Sequence, residues 1–217
     1  MEEKFENLEY ATLKQAKAYD TITKIHGFRM HSPLVKLILR IKKEGLLLDM
    51  GCGPARELVK IVRHSRIEAI GLDISLNMLK IAKENLKERL SDRVRFVLAD
   101  MHNLPFKINA FEIIISLNAL HHTKDIESIL AKAQSLLKPN GIIIIQDLIL
   151  LPKFLQNLYT FLFYSFCTKE MKKQYRDSLE VGKSLEEWQG IVNNSFLKGA
   201  KILKVWPHFV IIIKEFN

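Results

Sequence analysis

Two cysteines among 217 residues, Cys52 and Cys167, have no companions at metal-ligand spacing and supply no disulfide framework. That excludes a thiolate metal site and a disulfide scaffold, and it points to a reducing compartment, so a cytoplasmic location is expected. No clean apolar run of about 20 residues occurs, which excludes a membrane-spanning helix. The richest stretch, Leu148 to Phe166, is broken by Pro152, Lys153, Gln156 and Asn157. Met1-Glu2-Glu3-Lys4 leads into polar residues, with no apolar signal core behind it. The basic charge lacks concentration. Net charge is +9 and the isoelectric point about 9.5, but the clusters go no further than pairs such as Lys42-Lys43 and Lys172-Lys173. A surface dedicated to nucleic acid gathers its charge, and these basic residues are spread and mixed with acids. RNA is a permitted partner and not the favoured one. No repeat or low-complexity linker divides the chain.

Apolar residues make up 48% of the chain, enough for the core of one α/β domain. Residues 1–45 read as helical: Ala11 to Ile25 has neither glycine nor proline, and Ser32-Pro33 offers an N-cap and first-turn proline ahead of Leu34 to Ile41. Apolar runs at 46–48, 67–72, 94–98, 111–116 and 142–145 then read as strands, separated by segments with helical spacing. Leu76, Leu79, Leu86 and Leu90 form one apolar side of the helix that Ser75 caps. Ile126 to Leu137 forms another helix, which Lys138-Pro139-Asn140-Gly141 stops. That rhythm predicts parallel βαβ units with both sheet faces covered. Ser184-Leu185-Glu186-Glu187 is a capping box, and 201–206 with 209–213 reads as an antiparallel hairpin at the sheet edge. The expected architecture is a Rossmann-like three-layer α/β sandwich, a mostly parallel seven-stranded sheet with a C-terminal hairpin. Its single domain comprises a helical lid (1–45), a core (46–147), a helical insertion or cap (148–200) and the hairpin (201–217). The aromatic stretch 154–166 is expected to pack as a helix or to cap an apolar site.

The segment that organises the chain is Leu46-Leu47-Leu48-Asp49-Met50-Gly51-Cys52-Gly53-Pro54-Ala55-Arg56. A buried strand, a glycine turn and a helix in that order present backbone N–H groups that a ligand can approach without meeting a Cβ. Ligands of open α/β sheets bind beyond the carboxyl ends of the strands. Asp49, Gly51, Gly53, Asp73, Asp100, Asn118 and His121 all fall there. Asp73 stands 22 residues after Gly51, near the roughly 20-residue offset of a ribose-binding carboxylate. A nicotinamide dinucleotide is disfavoured, because Arg56 holds the third glycine position of G-x-G-x-x-G and no second mononucleotide half follows.

Leu48-Asp49-Met50-Gly51-Cys52-Gly53-Pro54-Ala55 resembles motif I of the class I methyltransferases that use S-adenosylmethionine. The resemblance continues through 71–75, 99–106, 116–122 and 137–141, and it is nearest to the small-molecule branch that includes the ubiquinone and menaquinone C-methylases. It implies S-adenosylmethionine as cofactor, S-adenosylhomocysteine as product and a small-molecule methyl acceptor, apolar or aromatic. Gly51, Cys52 and Gly53 would border the methionine part, with Asp49 ordering the turn or meeting its ammonium. Asp73, with Ile74 beside it, would bind the ribose, Asp100 and Met101 the adenine, and Asn118 the methionine end. The family often has a third glycine where Ala55 stands.

Displacement of a sulfonium methyl needs mainly alignment, and a base only when the nucleophile is protonated. His121 and His122, nearest the expected methyl group, are the candidate bases, ahead of His26, His31 and His102. A His pair at a strand end also serves to brace a loop. Cys52 reads as a small turn residue, and Asp73 has the ordinary alternative of a turn or N-cap role. RNA or protein methylation and a non-catalytic cofactor-binding module are the competing functions. Neither an Asn/Asp-Pro-Pro-aromatic motif after the fourth strand nor a Pro-Cys pair is present to favour methylation of base amino groups or cytosine C5.

Overall fold

The computed structural model describes residues 12–27, 32–164, 167–205 and 209–216. His31, Phe166 and Pro207-His208 lie outside the described residues.

Thr12 and Gln15 form a reciprocal cap, each backbone N–H donating to the other's side-chain oxygen, and open α1 (Leu13–Gly27). The next helix, α2 (Ser32–Ile41), starts on Ser32 itself and buries Leu34, Val35 and Ile38. Strand β1 (Glu44–Met50) leads through the glycine turn to α3 (Arg56–Arg63) and β2 (Arg66–Asp73). Then follow α4 (Leu76–Asn85), β3 (Val94–Leu98), β4 (Phe111–Leu117), α5 (Ile126–Leu136) and β5 (Leu137–Leu148). The remaining elements are α6 (Lys153–Tyr164), α7 (Lys169–Glu180), α8 (Leu185–Asn193), β6 (Lys201–Val205) and β7 (Phe209–Glu215).

The sheet order is β3-β2-β1-β4-β5-β7-β6. Its first five strands are parallel, and β7 runs antiparallel to both β5 and β6. Successive apolar residues alternate between two cores, one on each face. Leu48, Ile114, Ile143 and Ile145 join the first, and Leu47, Ile113, Ile115, Ile142 and Ile144 the second. Burying each such side chain contributes roughly 1.5–3 kcal/mol, which is why the runs are uninterrupted. The chain winds outward from β1 to β3 and then returns to β4 on β1's other side, opening a crevice at the strand ends between β1 and β4.

Three expectations need correction. Helix α4 ends at Asn85, where the Leu86 N–H folds back onto the Ala82 and Lys83 carbonyls. A 3₁₀ turn, Glu88–Arg93, then carries Leu90 into the core, while Leu76 is exposed. The Lys138-Pro139-Asn140-Gly141 segment lies inside β5, not before it. Phe111 pairs with Leu137 but Ile113 pairs with Ile142, so the extra residues bulge out of register, with Asn140 at φ 62°. Finally, α6 packs its polar side inward, burying Gln156 and Thr160 and leaving Phe154, Leu158, Phe161 and Leu162 outside. Among the described residues no helix is long and apolar enough to cross a membrane.

Candidate active site

The turn after β1 is built by its backbone. The N–H groups of Gly51 and Cys52 both donate to the Leu72 carbonyl at 2.8 Å, and Ala55 N–H donates to the Cys52 carbonyl at 2.9 Å. Gly51 has φ 75°, and a Cβ there would stand 2.5 Å from Ala119 Cβ, because the loops after β1 and β4 touch at this point. Ala55 takes the left-handed conformation at φ 54° and ψ 26°. The position where a third glycine often stands thus keeps a glycine-like backbone, at a cost of about 1 kcal/mol for the Cβ.

Asp73 ties this turn to the loop after β2. Its Oδ2 accepts from Gly53 N–H at 2.7 Å and its Oδ1 from Ser75 N–H at 2.8 Å. Ser75 in turn caps α4 through Met78 N–H. Burial pushes the Asp73 carboxyl up, and the N–H groups of Ser75, Gly53 and Ile74 offset part of that rise. A turn role is therefore visible directly; Ile74 beside it is exposed. Cys52 is buried, and burial, reinforced by Asp49 and Asp73, raises its thiol well above the usual range. This suits a small turn residue and not a thiolate nucleophile.

Asp49 is buried beneath the turn, and its Oδ1 has no hydrogen-bond partner. The buried Oε1 of Glu57 accepts no hydrogen bond but is ion-paired with Lys60 Nζ at 3.7 Å. Burial first, then the charges of Glu57 and Asp73, raise the Asp49 carboxyl well above its usual value. A buried carboxyl oxygen without a donor, beside a second acid, favours a ligand that brings positive charge and disfavours a phosphate.

Arg56 does not supply that charge. It makes a bidentate pair with Asp20 of α1, Nε to Oδ1 at 2.6 Å and an Nη to Oδ2 at 2.7 Å. Asn85 Nδ2 donates to Asp20 Oδ1 at 2.8 Å and to the Pro54 carbonyl at 2.9 Å, so α1 is pinned to the glycine turn. The Tyr19 ring comes within 3.7 Å of where a Gly53 Cβ would stand. Burial and the carboxylates of Glu57, Asp73 and Asp147 push its hydroxyl pKa up.

Beyond β3, Asp100 Oδ1 accepts from both the N–H and the ring Nδ1 of His102, each at 2.8 Å. Burial opposes ionisation there, and the two His102 bonds together with the charges of His102 and Lys132 outweigh it, holding Asp100 below the usual range. His102 Nε2 meets Thr123 Oγ1 at 3.1 Å and its carbonyl accepts from Lys132 Nζ. With both ring nitrogens engaged, His102 is a loop brace, which removes it as a base. Met101 is half-buried, its methyl 3.4 Å from the site a Gly51 Cβ would occupy.

Beyond β4, Asn118 adopts φ 56° and donates its N–H to the Gln146 carbonyl at 2.7 Å. His121 and Asp147 form a buried dyad, 2% and 0% exposed. His121 Nδ1 and Asp147 Oδ1 are 2.5 Å apart, and Asp147 also accepts the His121 and Leu148 N–H groups at 3.2 and 2.7 Å. Nδ1–H therefore donates to Asp147, and Nε2 is buried and without a partner. The His122 ring lies 3.9 Å from the His121 ring, centroid to centroid. Burial and the neighbouring His121 lower its pKa well below the usual histidine value. The side chain of His26 lies outside the described residues.

The loops after β1 to β4 thus bring the expected residues to one edge. Tyr19, Asp20, Glu57 and Asp147 join them unannounced by any local pattern. Among the described residues no cluster of three His, Cys, Asp or Glu side chains could hold a metal ion.

The family model of a methyltransferase domain matches residues 41–196. Methyltransferase GfsG of Streptomyces halstedii is 27% identical over 164 residues, 75% of this chain and 58% of that one. A demethylmenaquinone methyltransferase of Thermotoga maritima is 32% identical over 139 residues, 62% of this chain and 58% of its own length. The chain thus spans little more than half the length of these relatives. A solved Methanococcus maripaludis structure, assigned as an S-adenosyl-L-methionine-dependent methyltransferase, superposes with a TM-score of 0.72 at 22% identity, covering 94% of each chain. It attests the fold.

Proposed function

The chain belongs to the class I S-adenosylmethionine-dependent methyltransferases, and on that footing we propose that it transfers a methyl group to a small, apolar or aromatic acceptor by in-line displacement. The bound cofactor supplies a methyl group activated on a sulfonium. Gly51 and Gly53 leave the main chain open to the methionine part. Asp49 Oδ1, the buried carboxyl oxygen without a donor, answers its positive charge; that atom carries the cofactor assignment. Asp73 retains lone pairs for ribose hydroxyls, Asp100 and Met101 serve the adenine, and Asn118 the methionine end. His121 takes the acceptor's proton on Nε2 where the acceptor has one to lose, while Asp147 fixes the tautomer. A relative named for demethylmenaquinone supports an apolar ring acceptor, and the cysteine usage supports a cytoplasmic setting.

Titration calorimetry with S-adenosylmethionine tests the cofactor half: micromolar-range binding, weakened in Asp49→Asn, is expected, and equal affinity in that variant would remove the assignment. Labelled cofactor incubated with cell extract, sorted into small-molecule, RNA and protein fractions, tests the acceptor half. Label in the small-molecule fraction is expected; label confined to RNA or protein overturns it.

A further inference from the structure

Helix α6 is built inside out. Its inner side carries Gln156, whose Nε2 donates to the Leu151 carbonyl at 2.7 Å, and Thr160, whose hydroxyl donates to the Gln156 carbonyl at 2.7 Å. Its outer side carries Phe154, Leu158, Phe161 and Leu162, which are 70%, 48%, 71% and 56% exposed, and Leu150 continues the patch at 41%. Positions i, i+4, i+7 and i+8 lie on one helical stripe. Four large side chains in a row facing solvent are not the scattered apolar residues of an ordinary surface.

The charge around the stripe has one dominant sign. Helix α6 has no acidic residue. Between residues 150 and 183 there are six basic and three acidic residues. Lys153 at the head of the stripe, and Lys169 and Arg176 on the adjoining α7, are exposed. Helix α7 also carries the acids Glu170, Asp177 and Glu180; Asp177 and Lys173 pair at 2.6 Å, and the segment stays basic by three charges. A second copy docked face to face would set this basic rim against itself, because a twofold contact joins a patch to its own copy. An anionic bilayer surface meets both features, taking the apolar stripe at the headgroup boundary and the lysines and arginine at its phosphates.

We propose that the outer face of α6, with the basic rim of α7, is a membrane-surface contact for anionic lipid. The contact lies outside the cofactor site and holds independently of the acceptor proposed above.

The full chain is to be floated with phosphatidylcholine vesicles and with vesicles containing one quarter phosphatidylglycerol, at low and raised salt. At least tenfold tighter binding to the anionic vesicles is expected, falling as salt rises. The Phe154→Ser/Phe161→Ser variant is expected to lose at least tenfold, with circular dichroism and cofactor affinity unchanged. Lys153→Glu/Arg176→Glu, which alters no apolar side chain, is expected to lose the preference for anionic lipid and serves if the serine variant fails to fold. Absence of binding to anionic vesicles overturns the proposal. So does a dimer in sedimentation velocity that the serine variant abolishes, since the patch is then a subunit interface.

Discussion

The two sides of the strand-end crevice are made differently. On the β1–β2–β3 side, the turn from Gly51 to Ala55 is held by main-chain hydrogen bonds to Leu72 and Cys52 and by one carboxylate, Asp73, that accepts only backbone N–H groups. On the side of α1, the ties are side chain to side chain and distant in sequence: Arg56 to Asp20, 36 residues apart, and Asn85 to Asp20, 65 apart. A main-chain cradle suits a ligand that never changes, because few substitutions alter it. Helices fastened by side chains can be repacked one residue at a time, which suits an acceptor that differs among relatives.

Substitutions on the two sides should separate accordingly. The largest effect is expected at the dyad: His121→Ala should lower kcat on the labelled acceptor about 10²–10⁴-fold with cofactor affinity unchanged. Asp147→Asn should follow it; unchanged turnover in both variants would leave the dyad a loop brace. Gly51→Val should cost about 3 kcal/mol in urea unfolding and abolish cofactor binding, since a side chain at positive φ also meets Ala119. Normal binding there would contradict the main-chain cradle.

Asp49→Asn should weaken S-adenosylmethionine about tenfold, roughly 1.4 kcal/mol. It has a second signature in the apo protein. The carboxyl is raised in the fold above its ordinary 3.8, so stability is full below that value and is lost as pH rises through the folded pKa. The Asn variant lacks that loss, so its melting temperature should match the wild type near pH 4 and exceed it at pH 7. Asp20→Asn frees α1 from Arg56 and should speed cofactor release only a few-fold, about 0.5–1 kcal/mol, read by stopped-flow. The smallest effect is expected at Ala55→Gly, a gain of up to about 1 kcal/mol as the left-handed strain is relieved.

The same contrast explains what the sequence displays. Leu46 to Ala55 advertises itself because a buried strand and a positive-φ turn each demand particular residue types in consecutive positions. The sheet was legible for that reason, and so was the turn that Gly51, Gly53 and Asp73 build. Asp147 was hidden because its role arises only when β5 lies beside β4, which brings it to His121 across 26 residues. Arg56 was legible as an obstacle to a pyrophosphate but not as the anchor of α1, since nothing near it in sequence indicates Asp20. The bulge at Lys138 to Gly141 escaped because proline and glycine there signal a stop, whereas pairing of Phe111 with Leu137 had already begun the strand. The outward stripe of α6 has ordinary amphipathic spacing, and spacing cannot say which side faces in.

The placement of β7 has a consequence for how the molecule is made. It inserts between β5 and β6, pairing with Ile142 to Leu148 on one side and Lys201 to Val205 on the other. Until residues 209–215 have left the ribosome, β5 is an open edge lined with isoleucine, and β6 has nothing to join. Loop closure over about 60 residues comes last and slowly, so a nascent or truncated chain exposes an aggregation-prone strand. Of the described strands, the latest in the chain is the one that joins β6 to the sheet.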